Sequence, residues 1–346
     1  MNLDFDFTPA FGEALGHATL RQTAQDFIVH EELSFPLVGS GDHIYLYIEK
    51  TGCNTDWVAK QLAKIAGLKS VDIGYAGLKD RHAVTRQWFS LHLPGKPEPD
   101  WFQLSEGIVI LENTRHQKKL KTGAIKQNCF IITLRNVTAD DQAIIERLQK
   151  IKQQGFPNYF GSQRFGFEQG NVNKLLDMVE NRKRLKPQKR GIFISSGRSY
   201  LFNQILKQRI LDNTWNRAVE GDVMNLDGSR GVFVPESYDT VIDSRIQQMD
   251  IHPATVLWGR GRSQTRGPAQ QLEQQCIENN IRVAQALENA GAAMAYRAMR
   301  VRADDLEWHF DDTVLQLKFS LPSGAYATSL IHELINIEGA SDSPAD

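Results

Sequence analysis

The sequence has 346 residues, of which 41% are hydrophobic and 23% are charged, and its formal net charge is −1. This composition is typical of a globular protein with a large core, and the length favours two domains over one. No segment reaches the roughly 18 uncharged apolar residues that a membrane span requires, and the N-terminus carries acids where a signal peptide would be basic. We therefore expect a soluble cytoplasmic protein.

The first 154 residues are dominated by strand patterns. Before about Leu20 the sequence looks irregular. Alternating or β-branched patterns then predict strands at residues 25–31, 43–50, 87–93, 107–112 and 129–135. Helical spacing predicts one helix after Asn54 or Thr55 that closes at Gly67, and a second helix opened by a capping box of Thr138 and Asp141 and ended by Gly155.

Beyond Gly155 helical periodicity predominates. It predicts helices at residues 199–211 and 270–288, separated by an irregular section. Alternation returns at residues 313–320, a closing helix is predicted at 327–337, and the polar tail 339–346 is expected to fray. This order suggests an α+β protein in which one sheet domain is interrupted by a second module and completed near the C-terminus.

Charge is unevenly distributed along this nearly neutral chain. Three runs contain basic residues and no acid: residues 113–128, residues 181–190, and the glycine-interleaved cluster Arg260, Arg262 and Arg266. A single basic run is usually a solvated face. Three of them favour a surface for a polyanion, because phosphate contacts gain from counterion release, and we expect nucleic acid, with RNA ahead of DNA.

The cysteines and histidines offer no pattern typical of a metal site. Cys53, Cys129 and Cys276 are odd in number and far apart, and the nine histidines are scattered. We therefore expect neither a disulfide framework nor a zinc site.

Asp80 is the main candidate functional residue in the sequence. It lies between Lys79 and Arg81, three residues after Gly77 and just before a strand pattern. A glycine can adopt backbone angles closed to other residues, so a sharp turn at Gly77 would aim the carboxylate outward. A solvated turn with cancelling charges is the simpler alternative for such a short pattern.

Two other stretches have unusual composition. Residues 158–166 combine three aromatic rings, an amide and Arg164 between glycines, a set that can stack on bases and approach phosphate. Tight packing at a domain junction explains them equally well. Residues 321–329 place Tyr326 after Gly324, and here an ordinary strand-to-helix connection is the alternative.

The run G-Y-A-G-L-K-D-R-H-A-V-T-R-Q-W (74–88) closely resembles the signature of the TruD family of tRNA pseudouridine synthases. The resemblance extends in the expected order over D-F-I-V-H-E (26–31), T-G-C-N-T (51–55), N-Y-F-G-S-Q-R-F-G (158–166), R-S-Y-L-F-N (198–203) and L-P-S-G-A-Y-A-T-S (321–329). Asp80 does not lie in the G-R-L-D context of the more widespread pseudouridine synthases. Six ordered motifs make chance similarity remote.

This resemblance implies an enzyme that isomerises uridine to pseudouridine in tRNA, usually at position 13, with no cofactor, no metal and no obligatory protein partner. It also implies a pseudouridine-synthase catalytic domain with a mixed, mainly antiparallel sheet, interrupted by a family-specific α+β insertion domain. The expected catalytic domain is residues 1–154 and 303–346, and the expected TRUD insertion domain is residues 155–302.

The resemblance assigns the catalytic role to Asp80, as nucleophile on C1′ or C6 or as base on the 2′ proton, with Lys79 and Arg81 favouring its ionised form. The expected substrate-binding residues are Phe27, Asn128, Tyr326, Phe130 and Lys79. Relatives often have Phe at the position of Tyr326, which leaves the role of its hydroxyl open. For the two phenylalanines the alternative is core packing, and for Asn128 it is a turn before a strand.

Two other classes of function compete with this interpretation. A non-catalytic RNA-binding or chaperone protein on the same fold is disfavoured by the intact stretch around Asp80. A hydrolase is disfavoured because the sequence has no paired-histidine metal motif, nucleophile elbow or phosphate-binding loop. His82 is interpreted as structural and not as a base.

Overall fold

A computed structural model describes residues 3–338 of the chain, so the predicted frayed tail lies outside the described residues. The strands are β1 His17–Leu20, β2 Phe27–Leu33, β3 His43–Lys50, β4 Ile73–Tyr75, β5 Val84–His92, β6 Ile108–His116, β7 Ile125–Arg135, β8 Phe156–Pro157, β9 Val223–Leu226, β10 Val232–Phe233, β11 Ile251–Leu257, β12 Ala295–Ala298, β13 Arg300–Val301, β14 Asp304–Asp311, β15 Val314–Pro322 and β16 Asn336–Glu338. The α-helices are α1 Thr55–Ile65, α2 Asp141–Gln154, α3 Asn171–Glu180, α4 Pro187–Leu211, α5 Thr240–Gln247, α6 Gly267–Asn279, α7 Ile281–Asn289 and α8 Ala327–His332. None of these helices is long and apolar enough to cross a membrane.

The larger sheet has ten strands. Seven follow the order β14-β15-β7-β2-β5-β3-β6, while β1 pairs with β7 and β16, and β4 pairs with β5. The β2–β5 and β1–β16 pairs are parallel and the others are antiparallel. The expected α+β class with a mixed, mainly antiparallel sheet is therefore confirmed.

Helices bury their apolar faces against this sheet. Val58 and Leu62 of α1 pack with buried side chains of β3 and β5. Ile144 and Leu148 of α2, together with Leu330 of α8, join a second cluster formed by β2, β7 and β15. The centre of the sheet, where β2, β5 and β7 meet, is thus supported by packed helices and can hold side chains in fixed positions.

A second sheet has the order β10-β9-β11-β12 and is antiparallel throughout. Its strand β11 packs on the long helix α4, and α3, α6 and α7 complete a separate cluster of buried apolar residues. The sequence did not predict these strands, because they are short and β11 contains Pro253.

The segments that lead into and out of this second module run side by side. Strand β8 follows directly after α2 and pairs antiparallel with β13, just before β14. The division of the chain at residues 155 and 302 stays a prediction, and the origin of the two sheets in separate segments of the chain supports it.

Most predicted elements of the first part are confirmed, and several boundaries differ. The chain before Leu20 includes β1, which the irregular pattern concealed. Asp140, and not Thr138, caps α2: its Oδ1 accepts from Ala143 N at 2.9 Å, while Thr138 Oγ1 accepts from His17 N at 2.9 Å. Gly155 ends α2 with φ 73°, as predicted.

Three predicted helices are wrong in extent. The helix expected at 270–288 is two helices, because Asn280 has φ −124° and bonds to Cys276 O and Tyr200 Oη through its side chain. The closing helix ends at His332, and residues 336–338 form β16 beside β1. Helix α4 begins earlier than predicted and takes in residues 187–190 of the second basic run.

Candidate active site

Asp80 lies in the loop between β4 and β5, which pair as an antiparallel hairpin. Its Oδ1 accepts a hydrogen bond from His82 N at 2.9 Å, so the side chain closes its own turn two residues on. The chain bends at Gly77, as expected, but the φ of Gly77 is not positive and a Cβ there would meet just Ile125 Cδ1 at 3.7 Å, so the bend does not require a glycine. His82 contributes a backbone donor, and its exposed ring takes no part in that bond.

A buried polar network supports this loop from below. The Lys50 ammonium, which is fully buried, donates to Cys53 O at 2.7 Å, Asp80 O at 3.0 Å and Lys79 O at 3.3 Å. Thr55 Oγ1 accepts from Lys79 N at 3.0 Å and donates to Gln87 Oε1 at 2.8 Å, and Gln87 Nε2 donates to Gly77 O at 3.1 Å. The network therefore fixes the backbone from Gly77 to Asp80 and gives Thr55, in the T-G-C-N-T motif, a structural role.

Burial lowers the pKa of the lysine in this network. Desolvation lowers the pKa of Lys50 to about 8, although attraction to Asp80 opposes the shift. Three carbonyl acceptors match the three donors of an ammonium, so the buried charge is well solvated by the protein.

Arg21 supplies the cation that contacts Asp80. Its Nη2 lies 2.9 Å from Asp80 Oδ2, with the two side chains 27% and 20% exposed. The same guanidinium lies 4.3 Å from the ring centroid of Phe27. Arg21 has φ 61°, a left-handed conformation that is uncommon for a residue with a side chain. It therefore connects the carboxylate with the first predicted pocket aromatic.

The segment that carries Arg21 and Phe27 is anchored by Asp26. This buried carboxylate accepts from Arg135 Nε at 2.9 Å and from Thr23 N at 2.8 Å. Burial opposes ionisation, but these hydrogen bonds prevail and hold the pKa of Asp26 below its ordinary value. No sequence pattern identifies Arg21, because 59 positions separate it from Asp80 and no spacing rule links a strand end to a distant loop.

Lys79 points away from the Asp80 carboxylate. Its Nζ lies 2.6 Å from Glu31 Oε2, and the two side chains are 8% and 0% exposed. Glu31 Oε1 also accepts from Trp88 N at 3.3 Å. Lys79 therefore ties the loop to β2 and β5: its ammonium bonds to Glu31, whereas Arg21 contacts Asp80. The expectation that the Lys79 ammonium favours the ionised carboxylate stays a prediction. The same expectation for Arg81 stays a prediction.

Phe27, Phe130 and Asn128 share one face of the sheet. In the β2–β7 register Phe27 is opposite Ile132, Val29 opposite Phe130, and Glu31 opposite Asn128. Alternate residues of paired strands point to the same side, so Asn128 lies beside the Glu31 that binds Lys79. The rings of Phe27 and Phe130 have centroids 6.2 Å apart and meet edge to face.

The burial of these residues differs. Phe27 and Phe130 are 5% and 8% exposed and join the main apolar cluster, so core packing accounts for much of their surroundings. Asn128 Oδ1 is screened from solvent and receives no hydrogen bond from the described residues. A buried polar atom of this kind has unused bonding capacity, which a donor such as the N3–H of a uracil ring could satisfy.

Tyr326 is linked to the same site through two consecutive residues of the 158–166 stretch. It precedes α8, and its hydroxyl accepts from Arg164 Nε at 2.9 Å. The residue before Arg164 is Gln163, whose Nε2 lies 3.5 Å from Asp80 Oδ2. Because consecutive residues contact Asp80 and Tyr326, the structure brings these two predicted site residues to one location, together with Gln163 and Arg164, which were identified merely as part of an unusual stretch.

The assembled site has the parts that a reaction on a nucleoside needs. A carboxylate with three polar contacts could act as nucleophile or base. Arg21 links this carboxylate to Phe27, and Gln163 and Arg164 link it to Tyr326. Asn128, with its unused acceptor, is opposite the Glu31 that binds Lys79. Within residues 3–338, no cluster of three or more His, Cys, Asp or Glu side chains is arranged to hold a metal ion.

The three basic runs are exposed to different degrees. In the first, Lys118 and Lys121 are exposed, whereas Arg115 donates to the carbonyls of Gly41 and Lys96 and so serves the fold. The second is exposed from residue 186 to 190, at the start of α4. In the third, Arg262 and Arg266 are exposed. Each run therefore has exposed basic residues that could contact a polyanion, and exposure does not distinguish one run from another.

Comparison with known proteins gives a consistent result over nearly the whole chain. The family model described as tRNA pseudouridine synthase D (TruD) matches residues 13–176 and 172–334. A protein of Methylococcus capsulatus named tRNA pseudouridine synthase D is 42% identical over 338 residues, covering 96% of each chain. A Pseudomonas putida protein of the same name is 43% identical over 341 residues, covering 97% of this chain and 96% of its own.

A solved structure is similar in fold. The crystal structure of a protein from Methanosarcina mazei, described as a putative tRNA pseudouridine synthase D, superposes with a TM-score of 0.72 over 96% of both chains, at 20% sequence identity. The arrangement of sheets and helices described above is therefore one that an experimental structure also contains.

Proposed function

Because the chain belongs to the TruD family of tRNA pseudouridine synthases, we propose that it isomerises uridine to pseudouridine in tRNA, at position 13. The observation that supports the proposal is the carboxylate of Asp80, which is oriented by His82 N and Arg21. It is linked through Arg21 to Phe27 and through Gln163 and Arg164 to Tyr326. We infer that the reaction takes place in the cytoplasm, where tRNA is available.

The reaction is balanced within one nucleotide. The C1′–N1 glycosidic bond breaks, the uracil turns, a C5–C1′ bond forms, and the C5 proton is lost while N1 gains one. A base stacked in RNA hides its reacting atoms, so the nucleotide must flip out of the stack to reach a side chain. Asp80 starts the reaction at the sugar or the base, and the charge it needs for either role is stabilised by Arg21.

The other residues would hold the flipped nucleotide. Phe27 and Tyr326 offer rings for stacking, and Asn128 Oδ1 offers an acceptor to the N3–H of uracil. Phe130 supports the ring of Phe27 from within the core. Lys79 stabilises the loop through Glu31, and this contact supports an indirect contribution to substrate binding.

We propose that two parts of the chain share this site. Residues 1–154 and 303–346 form the catalytic domain with Asp80, Asn128 and Tyr326, and residues 155–302 form the insertion, which supplies Gln163 and Arg164. The exposed basic runs would bind the tRNA backbone.

The test compares wild type and Asp80→Asn on tRNA transcripts carrying tritium at C5 of uridine, since forming the C5–C1′ bond releases that tritium. We expect the variant to lose tritium release while its Kd for tRNA stays within about threefold, because one neutralised carboxylate changes few phosphate contacts. Asp72→Asn, in the short turn before β4, removes the same charge and should remain active. Turnover by Asp80→Asn would refute the catalytic assignment, and binding without turnover by wild type would favour a non-catalytic RNA-binding protein.

A further inference from the structure

Arg164 is held rigidly at the point where the insertion meets the candidate active site. It lies in the short 3-10 turn Ser162–Phe165. Its Nε donates to Tyr326 Oη at 2.9 Å and its Nη1 to Ser195 Oγ of α4 at 3.2 Å. Its own carbonyl accepts from Ser196 Oγ at 2.7 Å. Both the backbone and the side chain of Arg164 are therefore fixed by α4.

The ring of Tyr326 is enclosed on the side that faces this turn. The Arg164 guanidinium lies 5.9 Å from its centroid, and the ring of Phe160 lies 6.0 Å away at 65°. Gly161 is so close that a Cβ there would lie 2.9 Å from Tyr326 Cδ1. Phe160 is itself covered by the guanidinium of Arg297 at 4.0 Å. These neighbours restrict the ring, and the hydroxyl is its polar anchor.

The bond between Arg164 and Tyr326 gives the hydroxyl a partner within the protein. An arginine can donate but not accept, so the tyrosine oxygen is the acceptor in this contact. A hydrogen bond with a charged donor is stronger than one between neutral groups. The hydroxyl is thus used to connect the C-terminal part of the chain to the insertion, whereas its role toward RNA was left open by the sequence.

We propose that Arg164 is a positioning residue that fixes the ring of Tyr326 for stacking on the flipped uridine. It acts through the tyrosine hydroxyl and makes no contact with the reacting atoms. The adjacent Gln163 reaches Asp80, so one turn of the insertion sets the distance between the stacking ring and the carboxylate. This inference rests on the proposed function.

A double-mutant cycle tests the proposal, with Tyr326→Phe, Arg164→Met and the combined variant. The single-turnover rate of tritium release from C5-labelled tRNA is measured with the protein in saturating excess, and Kd is measured separately over a range of salt. Tyr326→Phe retains the ring and removes the anchor, and we expect it to slow the reaction about tenfold, which is at the lower end of the contribution of a hydrogen bond to a charged group. Arg164→Met should slow it by a similar factor.

The combined variant gives the decisive comparison. If the hydroxyl serves Arg164, the double variant reacts no more slowly than the slower single variant, because either substitution breaks the same bond. Multiplied effects would overturn the proposal, since the hydroxyl would then act on the RNA. A weaker Kd for Arg164→Met, with a salt dependence reduced by about one phosphate contact, would also overturn it and assign Arg164 to the backbone.

Controls separate the proposal from the proposed function and from misfolding. Lys174→Met removes an exposed charge on α3 of the insertion and should leave rate and Kd unchanged. Arg164→Lys restores the charge without the planar fork, and we expect it to remain slow. If Arg164→Met is unstable, the rate of Tyr326→Phe alone decides, and a rate equal to wild type would overturn the proposal. A wild-type chain that releases no tritium would overturn both the proposed function and the role of Arg164.

Discussion

Replacing Lys79 with methionine should destabilise the protein strongly. The ammonium lies 2.6 Å from Glu31 Oε2, and the lysine and glutamate side chains are 8% and 0% exposed. Without it, the buried carboxylate retains Trp88 N at 3.3 Å as its hydrogen-bond donor. Breaking a buried ion pair by removing one partner costs about 3–5 kcal/mol, because the remaining charge is left uncompensated. Urea-induced unfolding at pH 7 should show a decrease of that size in the free energy of unfolding.

The companion variants establish the cause. Glu31→Gln in the Lys79→Met background should recover much of the loss, because the buried charge is then absent. Lys60→Met, at an exposed position of α1, should change stability by less than about 0.5 kcal/mol. A Lys79→Met protein as stable as wild type, with a flatter salt dependence of tRNA binding, would refute the reasoning and direct the ammonium to RNA.

Three further predictions concern RNA binding, pH and packing. The first basic run contains Lys118, Lys119 and Lys121. Replacing these three lysines by glutamine should weaken tRNA binding and flatten its salt dependence, whereas Lys150→Gln on α2 should do neither. If the salt dependence of Kd is the same in both variants, the RNA binds elsewhere. Burial raises the pKa of Glu333 from 4.5 to about 7, against hydrogen bonds from Ala10 N and Phe11 N, so the folded state retains a proton that the unfolded state releases. The free energy of unfolding should therefore fall by roughly 3 kcal/mol as pH rises from 4.5 to about 7. Urea unfolding of Glu333→Gln should show a smaller fall over this range, and a pH profile identical to that of the wild type would contradict the prediction. Gly161→Ala should displace the ring of Tyr326 and slow tritium release about tenfold, as expected for a reacting group moved by a fraction of an ångström. Gly191→Ala in α4, where a Cβ meets nothing within 4 Å, should leave the rate unchanged. Equal rates for the two variants would show that the ring position is unimportant.

The sequence singled out candidate site residues where each of them lies in a motif of its own. Asp80, Phe27 and Tyr326 were each singled out with their motifs, and the structure brings them together through Arg21, Gln163 and Arg164. Their roles in catalysis and binding stay predictions. The fold class could be predicted because strands β3 and β7 alternate or are β-branched over most of their length.

The directions of side chains could not be predicted. Lys79 and Asp80 are adjacent in sequence, yet the Lys79 ammonium is buried against Glu31 and the Asp80 carboxylate contacts Arg21. Arg21 itself has a left-handed backbone conformation, with φ 61°, that no local sequence pattern predicts. The closing helix ends early because the backbone beyond it bonds to the N-terminal segment: Leu15 N donates to Leu334 O and Asn336 N donates to Gly16 O.

The proposed function makes Asp80 the residue on which pseudouridine formation in tRNA depends. The most direct test is to map pseudouridine at single-nucleotide resolution in RNA from cells that lack the chain and carry either the wild-type or the Asp80→Asn version. We predict pseudouridine at tRNA position 13 with the wild type and unmodified uridine there with the variant, at equal protein levels. Position 13 modified equally in both strains, or in cells without the chain, would contradict the account.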